Sequence, residues 1–425
     1  MVYANAFHPV RVTQEKHLFC FKKYGGADFF YFNVDTGQIP LYLLKVDFDL
    51  IIFQTLFISC RWMGTETFNG RHLGNIESLK NNSAVKILLP QDEWYLTDVI
   101  SDFIRAFGIN IVFTLAPDTE LKKIYTELDF EKVKFFRVLT GYLDDDLLEL
   151  ISNLQRGITE RTIDIGYRSN KSPPWLGRDG YYKTEIALMF NNATAGSELK
   201  TSISTELRDT IFGNKWFEFL LRCKYTIGVE GGATVIDRDG KINIAGRKFF
   251  EENPDATFHE IEEECFRGLD GNISYLAISP RHLEACATRT CQVLLEGSYN
   301  GILKPGVHYI ELKKDYSNLH DVLEHIRRDD LREKITENAY RDVVASGNYD
   351  YSSFVRFVLE KSLPVTMPSV SLRKRLYTFV SYYLCKMIDA YNYHKITKES
   401  SWLTGPVKFL RMFGFGRLKK MLNPN

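Results

Sequence analysis

The sequence predicts an α/β protein made of two Rossmann-like halves, each a parallel sheet with crossover helices. Three observations lead there. Short apolar runs of strand length alternate with helical runs through most of the chain, the pattern of sheets covered on both faces. That alternation runs once before residues 155–161 and again after them. And a chain of 425 residues exceeds what one hydrophobic core holds together, so two domains are expected.

In the first half, Thr13–Tyr24 reads as a helix, with Thr13 as its cap and Gly25-Gly26 as its stop. Phe29–Val34, Phe48–Phe57 and Val85–Leu89 read as strands, the last closed by Pro90. Thr97–Phe107 has helical apolar spacing and ends at Gly108. Strand Ile109–Leu115, helix Glu120–Leu128, strand Val133–Thr140 and helix Asp145–Gln155 follow.

The second half repeats the plan. Thr162–Tyr167, Lys200–Thr205 and Tyr225–Val229 read as strands, with helices Lys183–Asn191 and Lys215–Arg222 between them. Residues 233–275 interrupt the alternation with a polar, acid-rich stretch holding one helical segment, Phe258–Cys265. Ser279-Pro280 is a helix start with Pro at the first position. Helix Arg281–Ala287, strand Cys291–Leu295 and the run His308–Leu312 come next, then helices Leu319–Arg327, Leu331–Ala345 and Tyr351–Lys361. Ligands of such folds sit at the carboxyl ends of the strands, here in the cleft between the halves.

Composition excludes several classes. Hydrophobic residues at 44% and charged residues at 25% exclude wholesale disorder. Lys+Arg and Asp+Glu are both 54, so no chain-wide basic footprint for nucleic acid exists. The 7 cysteines (Cys20, Cys60, Cys223, Cys265, Cys286, Cys291 and Cys385) are odd in number and lack C-x-x-C spacing. Neither a disulfide framework nor a zinc ribbon fits, and a reducing, cytoplasmic compartment does. Met1 to Pro9 has no cationic start before an apolar run, so no signal peptide is expected. Leu50 to Cys60 is a conspicuous apolar run, but a bilayer span needs about 20 residues.

Two segments could carry chemistry. Glu230-Gly231-Gly232-Ala233-Thr234 follows the strand Tyr225–Val229. Glycines let a ligand approach the backbone, and the acid can bind sugar hydroxyls. An ordinary strand-to-loop turn explains the same residues. In the second segment, Glu284 lies inside a helix of small residues that leads into an apolar strand. A carboxylate there can reach a ribose; an exposed helix glutamate is the alternative.

Together the segments resemble the retaining GT-B glycosyltransferases, enzymes with paired Rossmann-like domains. Those carry a Glu-Gly-x-Gly turn and a Leu-Glu-Ala-x-Ala-x-Gly helix, their two Glu separated by seven residues. Leu283-Glu284-Ala285-Cys286-Ala287 matches the second element, and Glu230-Gly231-Gly232 matches the first loosely. Eight positions before Glu284 stands Leu276. Residues 233–275 are therefore expected to be an insertion that separates the two Glu in sequence but not in space. The run Gly297-Ser298-Tyr299-Asn300-Gly301 and the closing Ala339-Tyr340, Ala345-Ser346-Gly347 and Tyr351 look like the bacterial group-1 and spore-maturation branch. The resemblance spans roughly residues 85–360.

The resemblance implies roles. Glu284 contacts the ribose of a nucleotide-sugar, Glu230 the transferred sugar, and Arg168 the diphosphate. Gly231 and Gly232 offer backbone amides, and Arg281 and His282 join the donor-binding set. Arg178 or Lys183 supplies a second cation; spacing does not choose between them. No metal ligand and no cofactor beyond the nucleotide-sugar is expected: His282 and His308 lack ligand spacing, and Asp237-Arg238-Asp239 reads as a turn. Gln91, Asp92 and Glu93 follow Val85–Leu89 at the ligand edge, where they face an acceptor or cap a helix.

Residues 363–425 hold 11 Lys and Arg against two acids, a net +9 that leaves −9 elsewhere. Basic residues interleaved with Phe409, Phe413 and Phe415 suit an anionic membrane surface, or else a helical cap packed on the core.

The expected organisation is an N-terminal acceptor-side domain (residues 1–157), a C-terminal nucleotide-sugar domain (158–362) with its insertion, and a basic aromatic tail (363–425). The expected function is glycosyl transfer to a glycan or lipid-linked acceptor in surface polysaccharide synthesis. It would act in the cytoplasm, attached peripherally to the inner membrane face. A nucleotide-sugar epimerase and a silent GT-B scaffold are the alternatives.

Overall fold

The computed structural model describes residues 1–4, 12–363, 377–381, 383, 384 and 387. The tail expectation for 363–425 therefore lies almost wholly outside the described residues.

The first half is a six-stranded sheet. Its strands are β1 (Val2–Tyr3), β2 (Phe32–Asn33), β3 (Leu50–Phe53), β4 (Val85–Leu88), β5 (Ile111–Thr114) and β6 (Lys134–Arg137). Their spatial order is β2-β1-β3-β4-β5-β6, and every pair is parallel. Ile87, Leu88, Val112 and Phe113 are fully buried, as the apolar runs of β4 and β5 require of strands covered on both faces. The helix Thr97–Phe107 lays Ile100, Phe103, Ile104 and Phe107 on this sheet, and Gly108 ends it at φ +62°.

The second half is a five-stranded parallel sheet. Its strands are β7 (Ile163–Arg168), β8 (Thr201–Ser204), β9 (Cys223–Gly228), β12 (Cys291–Leu295) and β13 (Ile310–Leu312), in the order β13-β12-β9-β7-β8. Between β9 and β12 the chain leaves the sheet. Gly231–Ala233 (β10) and Tyr275–Ala277 (β11) pair antiparallel, with Gly231 opposite Ala277 and Ala233 opposite Tyr275. The two ends of the stretch 233–275 therefore lie side by side.

The insertion departs from expectation in where it packs. Ala233, Ile273 and Tyr275 belong to the apolar core of the first half. The Asp237 amide donates to Trp94 O at 2.7 Å, and the Leu96 amide donates to Asp237 O at 2.7 Å. An inserted piece of the second half is thus built into the first. It also holds a helix the sequence reading lacks, Lys241–Glu252, whose first turn Asp237 caps by accepting from the amides of Gly240 and Asn243. The turn reading of Asp237-Arg238-Asp239 fits that role.

Other elements differ locally. Phe48–Phe57 splits into β3 and a short helix, Thr55–Ile58, because the Gln54 side chain accepts from the Leu56 amide and starts the helix. Glu120–Leu128 shrinks to Leu121–Ile124. The helix around Lys183 extends over Arg178–Thr194. Tyr351–Ser362 crosses back to the first half, where Phe354 stacks on Tyr142 at 4.6 Å between centroids.

Candidate functional site

A cavity of about 780 Å³ opens at the carboxyl ends of β7 and β9. Thr13, Lys16 and Tyr142 line it from the first half; Arg168, Lys183 and Arg281 line it from the second. Position in the fold explains its floor. Parallel strands end with their last side chains at one edge, and the helix Pro280–Ala287 starts above that edge. Its first turn is fixed by Ser279, which with His282 forms a reciprocal cap.

His282 shows how the turn is set. The Ser279 amide donates to His282 Nδ1 at 3.0 Å. An amide can only donate, so the ring proton is assigned to Nε2. Burial pushes the imidazole pKa down to about 3, which keeps His282 neutral. Its Nε2 faces Gly228, where an added Cβ would come within 3.3 Å. The cavity thus gains a neutral N–H donor on its wall.

Glu284 lies two positions after His282 and is 5% exposed. Its Oε2 accepts from Trp216 Nε1 at 2.8 Å. Burial raises its pKa, while the Trp216 bond and the charges of Arg281 and Lys16 pull it back. Glu284 lines the cavity.

The cations divide. Arg281 stacks over the Trp216 ring at 5.4 Å and donates to Arg168 O. Lys183 Nζ lies 3.6 Å from where a Gly231 side chain would begin, so it stands beside the turn the sequence singles out. Arg168 lines the cavity, yet its guanidinium is committed: it lies over Phe219 at 4.7 Å and donates to Ser202 O at 2.6 Å and Ser202 Oγ at 2.9 Å. Arg178 turns away, pairing with Glu185 at 2.8 Å and covering Tyr182 and Phe258. The structure brings Lys183, not Arg178, to the cavity.

Glu230 and Glu284 sit at the same edge of the sheet with different neighbours. The Glu230 carboxylate accepts from the Ser298 amide (3.0 Å), the Ser298 hydroxyl (3.1 Å) and the Tyr299 amide (2.8 Å). It holds the loop after β12 and does not line the cavity. Gly232 serves the β10–β11 ladder: at φ +143° a Cβ would lie 1.8 Å from Tyr275 O.

The acceptor-side candidates divide. Glu93 is fully buried and accepts from the Thr114 hydroxyl, the Leu115 amide (2.9 Å), Tyr125 Oη (2.5 Å) and Tyr275 Oη (3.0 Å). Gln91 Nε2 donates to Thr140 O at 3.1 Å. The fully buried Arg61 donates to Gln91 O (3.1 Å) and Asp92 O (2.6 Å), and Asp92 itself is exposed at φ +53°. The insertion reaches this strand edge at Glu93, through the Tyr275 hydroxyl, while Asp92 beside it stays exposed.

Sequence reasoning missed Trp216 and Lys16. Lys16 donates to Asp144 Oδ1 at 2.8 Å while lining the cavity. Neither residue lies in a motif, and both arrive through helix packing alone. Among the described residues no group of three or more His, Cys, Asp or Glu is placed to hold a metal ion. Among them, too, no helix is long and apolar enough to cross a membrane.

No family model matches the sequence, and no curated protein does. Among solved structures the chain is similar to HepE of Anabaena in complex with UDP and glucose. Identity is 10% over 85% of this chain and 98% of that one, with a TM-score of 0.47. It is also similar to the pneumococcal O-GlcNAc transferase GtfA in complex with UDP and GlcNAc (9% identity, 69% of this chain and 54% of that one, TM-score 0.33). A third similarity is to the N-terminal domain of Candida albicans trehalose-6-phosphate phosphatase (9%, 72% and 76%, TM-score 0.37).

Proposed function

We propose that the cavity binds a nucleotide-sugar and that the protein transfers its sugar to a glycan or lipid-linked acceptor in surface polysaccharide synthesis. One observation carries this reading. Lys183, Arg281, a neutral His282 and the buried carboxylate of Glu284 line one cavity at the carboxyl edge of a parallel sheet. Cations beside a carboxylate suit a nucleoside diphosphate, with the acid for ribose hydroxyls and the cations for phosphate.

The reaction needs charge stabilisation above all. As the glycosidic bond breaks, negative charge grows on the departing diphosphate, and fixed cations and N–H donors stabilise it. In a retaining front-face transfer the departing phosphate takes the acceptor proton, so the protein mainly orients the partners. This fits a metal-independent site without a separate general base. The acceptor would enter past the helix Val12–Tyr24, whose Thr13 and Lys16 line the cavity. The basic tail would hold the enzyme at the inner membrane face.

The test is a panel of UDP-, GDP- and ADP-sugars with the purified chain. Saturable binding and acceptor-dependent nucleotide release support transfer, and the product anomer reports retention. Nucleotide release without acceptor points to an epimerase. Binding without turnover points to a silent scaffold, the reading that the engagement of Glu230 with Ser298 and Tyr299 favours. Failure to bind any nucleoside diphosphate overturns the proposal.

A further inference from the structure

Trp216 opens the helix Asn214–Arg222, just after Gly213 at φ +62°. Its ring stacks on Phe219 at 5.8 Å and an interplanar angle of 29°. The Arg281 guanidinium covers the ring. A ring held this way has its N–H direction fixed, and it points at Glu284 Oε2, 2.8 Å away. Indole nitrogen only donates, so the contact leaves no ambiguity about which group gives the proton. Among the described residues Trp216 is the donor hydrogen-bonded to this carboxylate, so Oε1 is left for another partner.

We propose that Trp216 is a positioning residue for nucleoside recognition: its N–H holds Glu284 Oε2 so that Oε1 stands ready to accept from a ribose hydroxyl. This rests on the reading of the cavity as a nucleoside diphosphate site. The physical reason is orientation. A buried carboxylate free to rotate must lose that freedom when it binds a diol, and a fixed one has already lost it. The bond from Trp216 also counters the burial that favours the protonated acid, and a protonated oxygen is a poorer acceptor. Arg281 couples the same ring to the β7 edge through Arg168 O. One side chain therefore joins the ribose end of the cavity to the end where the cations gather.

The experiment compares wild type, Trp216→Phe, Trp216→His and Glu284→Gln by titration calorimetry. The probes are UDP, GDP and ADP and their 2′,3′-dideoxy forms, across pH 5.5 to 8.5. Wild type should prefer the ribose form of whichever diphosphate it binds. Trp216→Phe keeps the stacking and removes only the donor, so affinity for the ribose form should fall about tenfold, the scale of one hydrogen bond to a charged group. Affinity for the dideoxy form should stay within about twofold of wild type. The loss should deepen at low pH and be partly rescued by Trp216→His, which restores an N–H. Trp216→Phe in a Glu284→Gln background should add nothing.

A structural role alone would lower both probes equally, and that result overturns the proposal. Equal ribose preference in wild type and Trp216→Phe overturns it too. If wild type binds none of the diphosphates, the reading of the cavity fails first, and this inference falls with it. Should Trp216→Phe not fold, the Trp216→His and Glu284→Gln titrations decide, because both keep the wall in place.

Discussion

Tyr275 donates its hydroxyl to Glu93 Oε2 at 3.0 Å, joining residues 182 positions apart across the two halves. The bond ties the end of the insertion to the floor of the N-terminal sheet. Glu93 is buried on every side and needs each of its donors.

Removing that donor should therefore weaken the whole fold. Tyr275→Phe leaves a buried carboxyl one bond short, which costs about 1–3 kcal/mol. Urea unfolding should show the loss as a lower midpoint with an unchanged slope. An unaltered midpoint would mean that the insertion is not anchored through Glu93.

The two glutamates of the sequence motif should separate in their effects. Glu230→Gln sets an amide N–H₂ or a weaker oxygen against the amides of Ser298 and Tyr299. It should lower stability by about 1–3 kcal/mol. Glu284→Gln should spare stability and weaken nucleoside diphosphate binding. Thermal unfolding and calorimetry on the same two variants check this; a larger affinity loss at Glu230 would place its carboxylate at the ligand after all.

The cations should separate likewise. Lys183→Met should weaken diphosphate binding about tenfold or more and flatten its dependence on salt, since Lys183 lines the cavity. Arg178→Met, whose partner is Glu185, should leave affinity unchanged. Titrations at two salt concentrations compare them, and equal losses would contradict the placement of Arg178.

Stability should fall as pH drops below 6.5. His17 and His282 are buried, and burial pushes their pKa values from 6.5 down to about 4 and about 3. The folded state thus favours the neutral ring. Its contribution is complete above 6.5 and is lost as pH falls toward those values, at about 1.4 kcal/mol per pH unit for each histidine. Glu93 and Glu284 oppose this, because burial raises their pKa and folding then favours their protonated forms. A difference experiment isolates the histidine. His282→Asn keeps an acceptor for the Ser279 amide and should lose less stability than wild type between pH 6.5 and 4. Parallel curves would show that His282 is not buried neutral.

The tail carries the last prediction. Its net +9 should bind anionic vesicles at low salt, each cation near the surface contributing about 1 kcal/mol. Co-sedimentation of the full chain and of a chain ending near Leu363 tests it. Equal recovery in the supernatant would make the tail a structural cap.

The sequence by itself determined the repeated α/β plan. The buried apolar runs of β5 and β12, the helix stop at Gly108 and the helix start at Ser279-Pro280 are local signals, and local chemistry writes them into neighbouring residues. The same holds for Glu284, marked by the small residues around it. Where an element is ambiguous between strand and helix, as at Phe48–Phe57, the decision came from a single side chain, Gln54, capping a turn. Only the tertiary structure decided which motif residues face the cavity. Arg178 and Lys183 lie five positions apart on one helix, so that helix's rotation against the sheet sends one to Glu185 and the other toward Gly231. The fate of Glu93 was equally nonlocal. A glutamate after a strand looks like a ligand-edge residue until a tyrosine 182 positions away donates to it. Trp216 shows the same limit from the other side. A tryptophan in a helix carries no mark of its partner, and it meets one only when a different helix brings Glu284 to its N–H.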